Sequence, residues 1–148
     1  MPELRGGCTC GKIRYELDLN SPDDARTTLC HCRSCKVALG GAFGLTAKTP
    51  IDMFKYTNGN KPKLFIQENG VHREFCDNCG AFLCEYGEAN KDKFRLVANH
   101  RQWDVLIDDI RYIMTGTLDD GPDALPPKGE FFTSQRNKFM PQIPGMYY

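Results

Sequence analysis

The sequence predicts a mainly β fold of one domain, in which long irregular connections join short strands. Residues 12–19 alternate strictly between polar and apolar side chains, which is the period of a strand with one buried face. The pair Asn69-Gly70 separates two further strand-like segments and favours the positive φ angles of a type I′ hairpin turn. Helical periodicity is weak: residues 32–39 fit one short helix, and residues 103–110 fit another helix or part of a loop.

Six further segments are expected to form strands. Each combines β-branched or aromatic residues with turn residues at its ends. In chain order they are residues 43–47, 64–68, 71–75, 81–86, 94–98 and 110–115. Residues 121–148 carry five prolines, so we expect an irregular segment that wraps over the core. The side chains expected to hold it there are Phe131, Phe132, Phe139 and Met140.

Length and composition indicate a single globular domain that spans residues 1–148. The 19 basic and 19 acidic residues cancel, which argues against a broad surface for nucleic acid or anionic membranes. No apolar run is long enough to span a membrane, and the N-terminus lacks the apolar stretch of a secretory signal. We therefore expect a cytoplasmic protein whose clustered cysteines bind metal and do not form disulfides.

Seven of the eight cysteines are grouped in three short motifs that have metal-ligand spacing. In chain order they are Cys8-x-Cys10, Cys30-x-Cys32-x-x-Cys35 and Cys76-x-x-Cys79. In a Cys-x-x-Cys turn, backbone N–H groups point at the sulfurs, and both thiolates reach one tetrahedral ion. In extended chain, the two cysteines of Cys-x-Cys share one face and can also share an ion.

The simplest partition of these ligands gives two zinc ions per chain. A structural zinc takes four protein ligands, whereas a catalytic zinc takes three and keeps an open position. The two outer motifs close a structural site that consists of Cys8, Cys10, Cys76 and Cys79. The central motif leaves three thiolates for an open, catalytic site, namely Cys30, Cys32 and Cys35.

Two other residues could close the central site as a fourth ligand. Cys84 shares a strand face with Phe82 and Tyr86, so we interpret it as a small buried hydrophobic residue. His31 stands between two ligands, and in extended chain it would point away from them, either behind the ligands or at the surface. His72 and His100 have no partner motif and are given no role.

The three cysteine motifs, in this order, resemble the glutathione-dependent formaldehyde-activating enzyme (GFA, or centromere protein V domain) family. The matching segments are Gly7-x-Cys8-x-Cys10-Gly11-x-Ile13-x-Tyr15, Cys30-His31-Cys32-x-x-Cys35 and Phe75-Cys76-x-x-Cys79-Gly80. Looser matches are Gly40-Gly41-Ala42-Phe43, Gly116-Thr117-Leu118-Asp119-Asp120 and Leu125-Pro126-Pro127. Cys84, Trp103 and the pair Asp108-Asp109 match no family motif, which leaves the substrate open.

The resemblance implies a β-tent-like zinc-binding fold and the same division into a structural and a catalytic zinc. It also implies an activity, the condensation of formaldehyde with glutathione to S-(hydroxymethyl)glutathione, which is classed as a carbon–sulfur lyase reaction. The expected partners are thus glutathione and a carbonyl or thio-adduct substrate. Two alternatives stay open: a related lyase that acts on a larger biosynthetic or detoxification substrate, and a non-catalytic zinc module that binds another macromolecule.

Charge supports a thiol substrate for the central site. Three thiolates on one Zn²⁺ give a soft, weakly acidic centre that suits a substrate thiolate better than hydroxide. Candidates to meet the glutathione carboxylates are Arg33, Lys36 and Arg73, although a residue of this kind is more often simply a solvated surface charge. Gly41 and Phe43 are expected to line the glutathione pocket, or else to form an ordinary turn into a strand.

Overall fold

The computed structural model describes residues 3–87 and 110–146. Within these ranges ten strands and one α-helix, α1 (Arg33–Leu39), are joined by turns and short 3-10 helices. The strands are β1 (Leu4–Gly7), β2 (Arg14–Leu17), β3 (Arg26–Cys30), β4 (Gly44–Pro50), β5 (Phe54–Tyr56), β6 (Lys63–Ile66), β7 (Val71–Phe75), β8 (Phe82–Gly87), β9 (Ile110–Met114) and β10 (Gly129–Phe131). The expected strand at 94–98, the segment 103–109 with Trp103 and Asp108-Asp109, and His100 lie outside the described residues.

The ten described strands form two sheets, which confirms the mainly β, single-domain prediction. A three-stranded antiparallel sheet has the order β1-β2-β5, and a seven-stranded sheet has the order β10-β3-β4-β9-β8-β7-β6. Every pairing between the described strands is antiparallel except that of β10 with β3. The parallel pair brings residues 129–131 alongside the strand that ends at Cys30.

The core lies between the two sheets, and β2 with the residues on either side of it contributes the largest fully buried side chains. The predicted inward face is confirmed, because Ile13, Tyr15, Leu17 and Leu19 are all at most 2% exposed. They pack against apolar side chains of the larger sheet, Ala47, Leu83 and Ile113. Full burial of such a side chain stabilises the fold by about 1.5–3 kcal/mol. This face therefore fixes the position of the β1–β2 loop, which carries Cys8 and Cys10.

The predicted strands 43–47, 64–68, 71–75, 81–86 and 110–115 correspond to β4, β6, β7, β8 and β9. Strand β7 has the predicted ends, and the ends of the others differ by at most three residues. The hairpin between β6 and β7 is also present. Its predicted type I′ turn is wrong, because only Gly70, with φ 91°, has a positive φ, and Asn69 does not. Gly70 N–H donates to Gln67 O at 2.8 Å, as in a three-residue loop with glycine in the left-handed position.

The C-terminal segment is more ordered than its prolines indicate. It contains β10, and 3-10 turns at Pro122–Ala124 and Thr133–Gln135. The expectation that Phe139 anchors it is wrong, since this side chain is 76% exposed. Phe131, Phe132 and Met140 are only half buried. Polar contacts and buried Leu125 hold the segment in place.

No helix among residues 3–87 and 110–146 is both long enough and apolar enough to cross a membrane.

Candidate metal centres

The two outer cysteine motifs meet at one end of the molecule. The sulfurs of Cys8, Cys10, Cys76 and Cys79 all lie within 4.8 Å of one another. Cys10 Sγ is 3.6 Å from both Cys8 Sγ and Cys76 Sγ. Tetrahedral zinc with Zn–S bonds of about 2.3 Å needs sulfurs about 3.8 Å apart. The four thiols therefore match a closed tetrahedral site, and this four-cysteine group joins the smaller sheet to the β7–β8 turn of the larger one.

Backbone N–H groups aim at the sulfurs of this four-cysteine group, as the spacing predicts. Ile13 N–H donates to Cys8 Sγ at 3.2 Å, and the N–H groups of Asn78 and Cys79 point at Cys76 Sγ at 3.4 and 3.5 Å. Gly80 has a φ of 77° and closes the turn through its N–H bond to Cys76 O. Hydrogen bonds to a thiolate favour its charged, metal-binding form.

The central motif brings three sulfurs together where β3 ends and α1 begins. Cys30, Cys32 and Cys35 have sulfurs within 4.8 Å of one another, and Cys30 Sγ is 3.4 Å from Cys32 Sγ. Cys32 caps α1 by accepting a bond from Cys35 N–H at 3.3 Å. Cys30 and Cys35 are buried and Cys32 is half-buried. Among the described residues this group, the cysteine triad, supplies three ligands and no fourth.

Hydrogen bonding concentrates negative charge on one sulfur of the cysteine triad. Bonds from the thiols of Cys30 and Cys35 lower the pKa of Cys32 to about 2. The same sharing raises the pKa of Cys30 to about 11, and it raises that of Cys35 further. Three thiols that already share protons around one thiolate are suited to a divalent cation, which displaces those protons. The donor set thus fits a soft metal ion such as zinc.

Neither alternative ligand belongs to the cysteine triad. Cys84 is fully buried in the hydrophobic core, as its pattern predicts. Its Sγ lies 3.5 Å from Tyr56 Oη and 3.8 Å from Glu74 Oε2, and burial raises the pKa of its thiol well above the usual value. A protonated, enclosed thiol of this kind makes a poor metal ligand.

His31 lies behind the ligands, and the alternative of a surface position is wrong. Its side chain is fully buried, and its Nε2 lies 2.9 Å from Glu130 Oε1. Glu130 Oε2 in turn accepts a bond from Arg136 at 2.9 Å. Sequence reasoning assigned no role to Glu130, because a glutamate in a proline-rich tail resembles a surface residue.

A row of polar side chains crosses the larger sheet beside the cysteine triad, and sequence reasoning missed it. Arg73, Glu85 and Tyr112 are direct cross-strand neighbours on β7, β8 and β9. Arg73 and Glu85 are 9% and 8% exposed. Burial, opposed by Arg73 and reinforced by the charge of Cys32, raises the pKa of Glu85. Burial likewise raises the pKa of Tyr112, with a further contribution from Glu85.

The three cations expected to meet substrate carboxylates differ in their surroundings. Arg33 is exposed at the start of α1. Lys36 Nζ donates to Gln135 O at 2.5 Å and to Asn137 Oδ1 at 3.2 Å, so it fastens the C-terminal segment to α1. Arg73 is buried against Glu85. Of these, Arg33 alone is on the surface near the cysteine triad.

The loop between α1 and β4 lies beside the cysteine triad and contains both expected pocket residues. The ring of Phe43 is 6.5 Å from that of His31. The glycine that allows close approach is Gly44, where an added Cβ would lie 3.2 Å from Cys35 Cβ. At Gly41 the nearest atom would be 3.9 Å away. Gly44 therefore allows the loop to pack against Cys35, and the expectation that Gly41 and Phe43 line the glutathione pocket stays a prediction.

Comparisons with known proteins agree with this arrangement. The model of the family described as "Glutathione-dependent formaldehyde-activating enzyme" matches residues 3–135. A crystal structure of a Rhodobacter sphaeroides protein, a structural genomics target, superposes with a TM-score of 0.55. That match has 19% sequence identity and covers 82% of this chain and 94% of the other, so it supports the fold alone. The comparison with curated proteins gave no match. Since the family match spans nearly the whole chain and all three cysteine motifs, the protein belongs to the glutathione-dependent formaldehyde-activating enzyme family.

Proposed function

We propose that the protein is a zinc-dependent carbon–sulfur lyase that condenses glutathione with formaldehyde to S-(hydroxymethyl)glutathione. One observation carries the proposal: the four-cysteine group has a full set of ligands, whereas the cysteine triad has three. Three protein ligands and an open position are typical of catalytic zinc, and four cysteines are typical of structural zinc. Family membership adds the reaction class.

The chain's own residues would divide this work between two sites. Cys8, Cys10, Cys76 and Cys79 would hold one zinc that fastens the two sheets together. The cysteine triad would hold the other, which supplies a Lewis acid able to bind a substrate thiol as its thiolate. The buried neighbours of the triad would limit access by water. The reaction that these residues would support is the addition of a thiol to formaldehyde, in which a C–S bond forms, the C=O π pair moves to oxygen and the thiol proton ends on that oxygen; the reverse reaction breaks the C–S bond.

The loop and helix around the cysteine triad would form the glutathione site. Arg33 is available for a substrate carboxylate, since it lies exposed one residue after Cys32. Gly41 and Phe43 would line the pocket, in the loop that also brings Gly44 against Cys35. The cysteines, none of which forms a disulfide in this structure, suit a reducing compartment such as the cytoplasm.

Exchange NMR tests the proposal directly. Protein with two zinc equivalents should accelerate exchange between glutathione and S-(hydroxymethyl)glutathione in the presence of formaldehyde. Cys32→Ser should abolish the acceleration, and Cys84→Ala, which removes a cysteine outside both groups, should retain it. Fully loaded wild-type protein that gives no acceleration would contradict the proposal. Acceleration with a larger aldehyde but not with formaldehyde would instead favour the related lyase with a bulkier substrate.

A further inference from the structure

Glu85 is a buried carboxylate with no assigned role in the proposed thiol addition. It lies on β8 between Arg73 on β7 and Tyr112 on β9, in direct register with both. Only 8% of the residue is exposed. The charge of its carboxylate acts on Cys35, and that of Cys32 acts on Glu85, so it lies within electrostatic reach of the cysteine triad.

One guanidinium group ties Glu85 to the helix that carries the cysteine triad. Arg73 donates to Ser34 Oγ at 2.6 Å, and its Nε lies 3.5 Å from Glu85 Oε2. Ser34 stands between Cys32 and Cys35 on the first turn of α1. Arg73 therefore links the Glu85 carboxylate to the helical turn that carries Cys35.

The pairing of Glu85 with Arg73 is looser than a purely structural ion pair requires. Well-formed charge-assisted bonds have N–O distances of about 2.7–2.9 Å, whereas this contact is 3.5 Å and Arg73 Nε has no hydrogen bond among the described residues. The guanidinium directs its hydrogen bonds to Gln67 Oε1 and Ser34 Oγ, so the contact between Arg73 and Glu85 is an ion pair without a short hydrogen bond. Buried carboxyls with perturbed pKa values are concentrated at functional sites.

We propose that Glu85 is the proton acceptor and donor of the reaction, a role that rests on the proposed function. Its carboxylate accepts the S–H proton of the entering thiol, which leaves a thiolate and a neutral carboxylic acid. The sulfur then forms the C–S bond as the C=O π pair moves to oxygen, and the carboxylic acid gives its proton to that oxygen. The products are S-(hydroxymethyl)glutathione and the original carboxylate, and no other reactant is needed.

Charged and titratable groups from three parts of the chain interact with Glu85. They are the Arg73 guanidinium from β7, the Tyr112 phenol from β9 and the sulfurs of Cys32 and Cys35 at the start of α1. Burial raises the pKa of Glu85, and the charge of Arg73 opposes that shift. Burial keeps Tyr112 protonated through the neutral range, so the phenol does not compete for the proton.

Calorimetry of glutathione binding counts the proton directly. Protein with two zinc equivalents is titrated at pH 7 in buffers that differ in ionisation enthalpy. Wild-type protein should release close to zero protons for each glutathione bound, because Glu85 keeps the thiol proton. Glu85→Gln should release about one proton per glutathione, and its kcat should fall about 100- to 10,000-fold. Its zinc content should equal that of the wild type.

Glu74→Gln is the matched control for this experiment. Glu74 is also a buried glutamate, on the neighbouring strand, but it contacts Tyr56 and Cys84 on the core side of the sheet. This variant should behave like the wild type in proton release and in kcat. Equal proton counts in wild type and Glu85→Gln, or loss of zinc from Glu85→Gln alone, would overturn the inference and leave the proposed function intact. Wild-type protein that does not bind glutathione would overturn both.

Discussion

His31 Nε2 lies 2.9 Å from Glu130 Oε1, and both side chains are almost completely shielded from solvent. The two residues are 99 positions apart in the chain. Arg136 bonds the other carboxylate oxygen of Glu130, and His31 N–H donates to Phe131 O at 3.0 Å. The C-terminal segment is thereby fastened directly behind Cys30 and Cys32, so the geometry of the cysteine triad depends on a distant part of the chain.

Glu130→Gln should reduce stability in a pH-dependent manner. The variant weakens two buried hydrogen bonds, which costs about 1–3 kcal/mol at pH 7. Although burial opposes ionisation, hydrogen bonds from His31 and Arg136 lower the pKa of Glu130 in the folded state. The stabilisation is therefore complete above the unfolded-state pKa of about 4.3 and is lost as the pH falls through the lower folded-state value.

Urea unfolding of wild type and Glu130→Gln at a series of pH values between 7 and 3 measures this effect. Comparison at each pH cancels the loss of metal that both proteins share in acid. The difference in unfolding free energy should shrink below about pH 4. A difference that stays constant across the series would show that the charge on Glu130 is unimportant.

Cys32→Ser and Cys79→Ser should have different consequences. Cys32→Ser should lower the zinc content by one equivalent and abolish thiol-dependent turnover while the fold survives. Cys79→Ser should unfold the domain, because it breaks the site that joins the two sheets and structural zinc contributes directly to folding. Metal analysis and circular dichroism of the purified variants check this division. Complete unfolding of both variants would refute it.

Gly6→Ala should destabilise the fold, whereas Gly116→Ala should not. A Cβ at Gly6 would clash with the Tyr15 hydroxyl and would lie 2.5 Å from Thr117 O. Overpacking of this kind costs about 1–3 kcal/mol or more. At Gly116 an added Cβ meets no atom within 4 Å, so stability should change by less than about 1 kcal/mol. Thermal unfolding of the zinc-loaded proteins tests the contrast, and equal losses would contradict the packing described here.

Cys84→Ala should leave the metal content unchanged. Cys84 contacts Tyr56 and Glu74 in the core and does not belong to either cysteine group. Loss of the buried sulfur should cost about 0.5–3 kcal/mol, as for a typical core substitution. Zinc quantification after gel filtration is the measurement. A variant that retains one zinc equivalent where the wild type retains two would identify Cys84 as a ligand.

The parts of the structure that were predictable are those with a local signal. The alternation of apolar and polar side chains from Ile13 to Leu19 directly indicates one buried face, because successive side chains of a strand point to opposite sides. Cysteine spacing is equally local, since a metal knuckle needs its two thiols within a few residues. The helical pattern of residues 32–39 was weak but also local, and α1 forms there.

The parts that were missed depend on partners far away in the chain. Strand β3 buries Thr27 and Thr28, whose hydroxyls bond Pro126 O at 2.6 Å and Thr46 Oγ1 at 3.0 Å. Glu130 and Glu85 are buried for the same reason, each beside a cation from another segment. A buried polar residue whose hydrogen-bond or ion-pair partner is distant in the chain has the same local sequence pattern as a polar residue exposed to solvent. Sequence reasoning therefore left β3, β10 and the row from Arg73 to Tyr112 undetected.

The parallel pairing of β3 with β10 also sets the order of events during biosynthesis. Thr28 pairs with Gly129. Strand β3 therefore lacks β10 as its neighbour until the intervening chain has been synthesised. About 100 residues at roughly 5–20 residues per second correspond to about 5–20 seconds on the ribosome. During that interval the nascent chain exposes Cys30, Cys32 and Cys35, together with an uncovered strand edge, to the cell's thiols, oxidants and metal carriers. Among the described strands, β10 is the one whose synthesis ends this exposure.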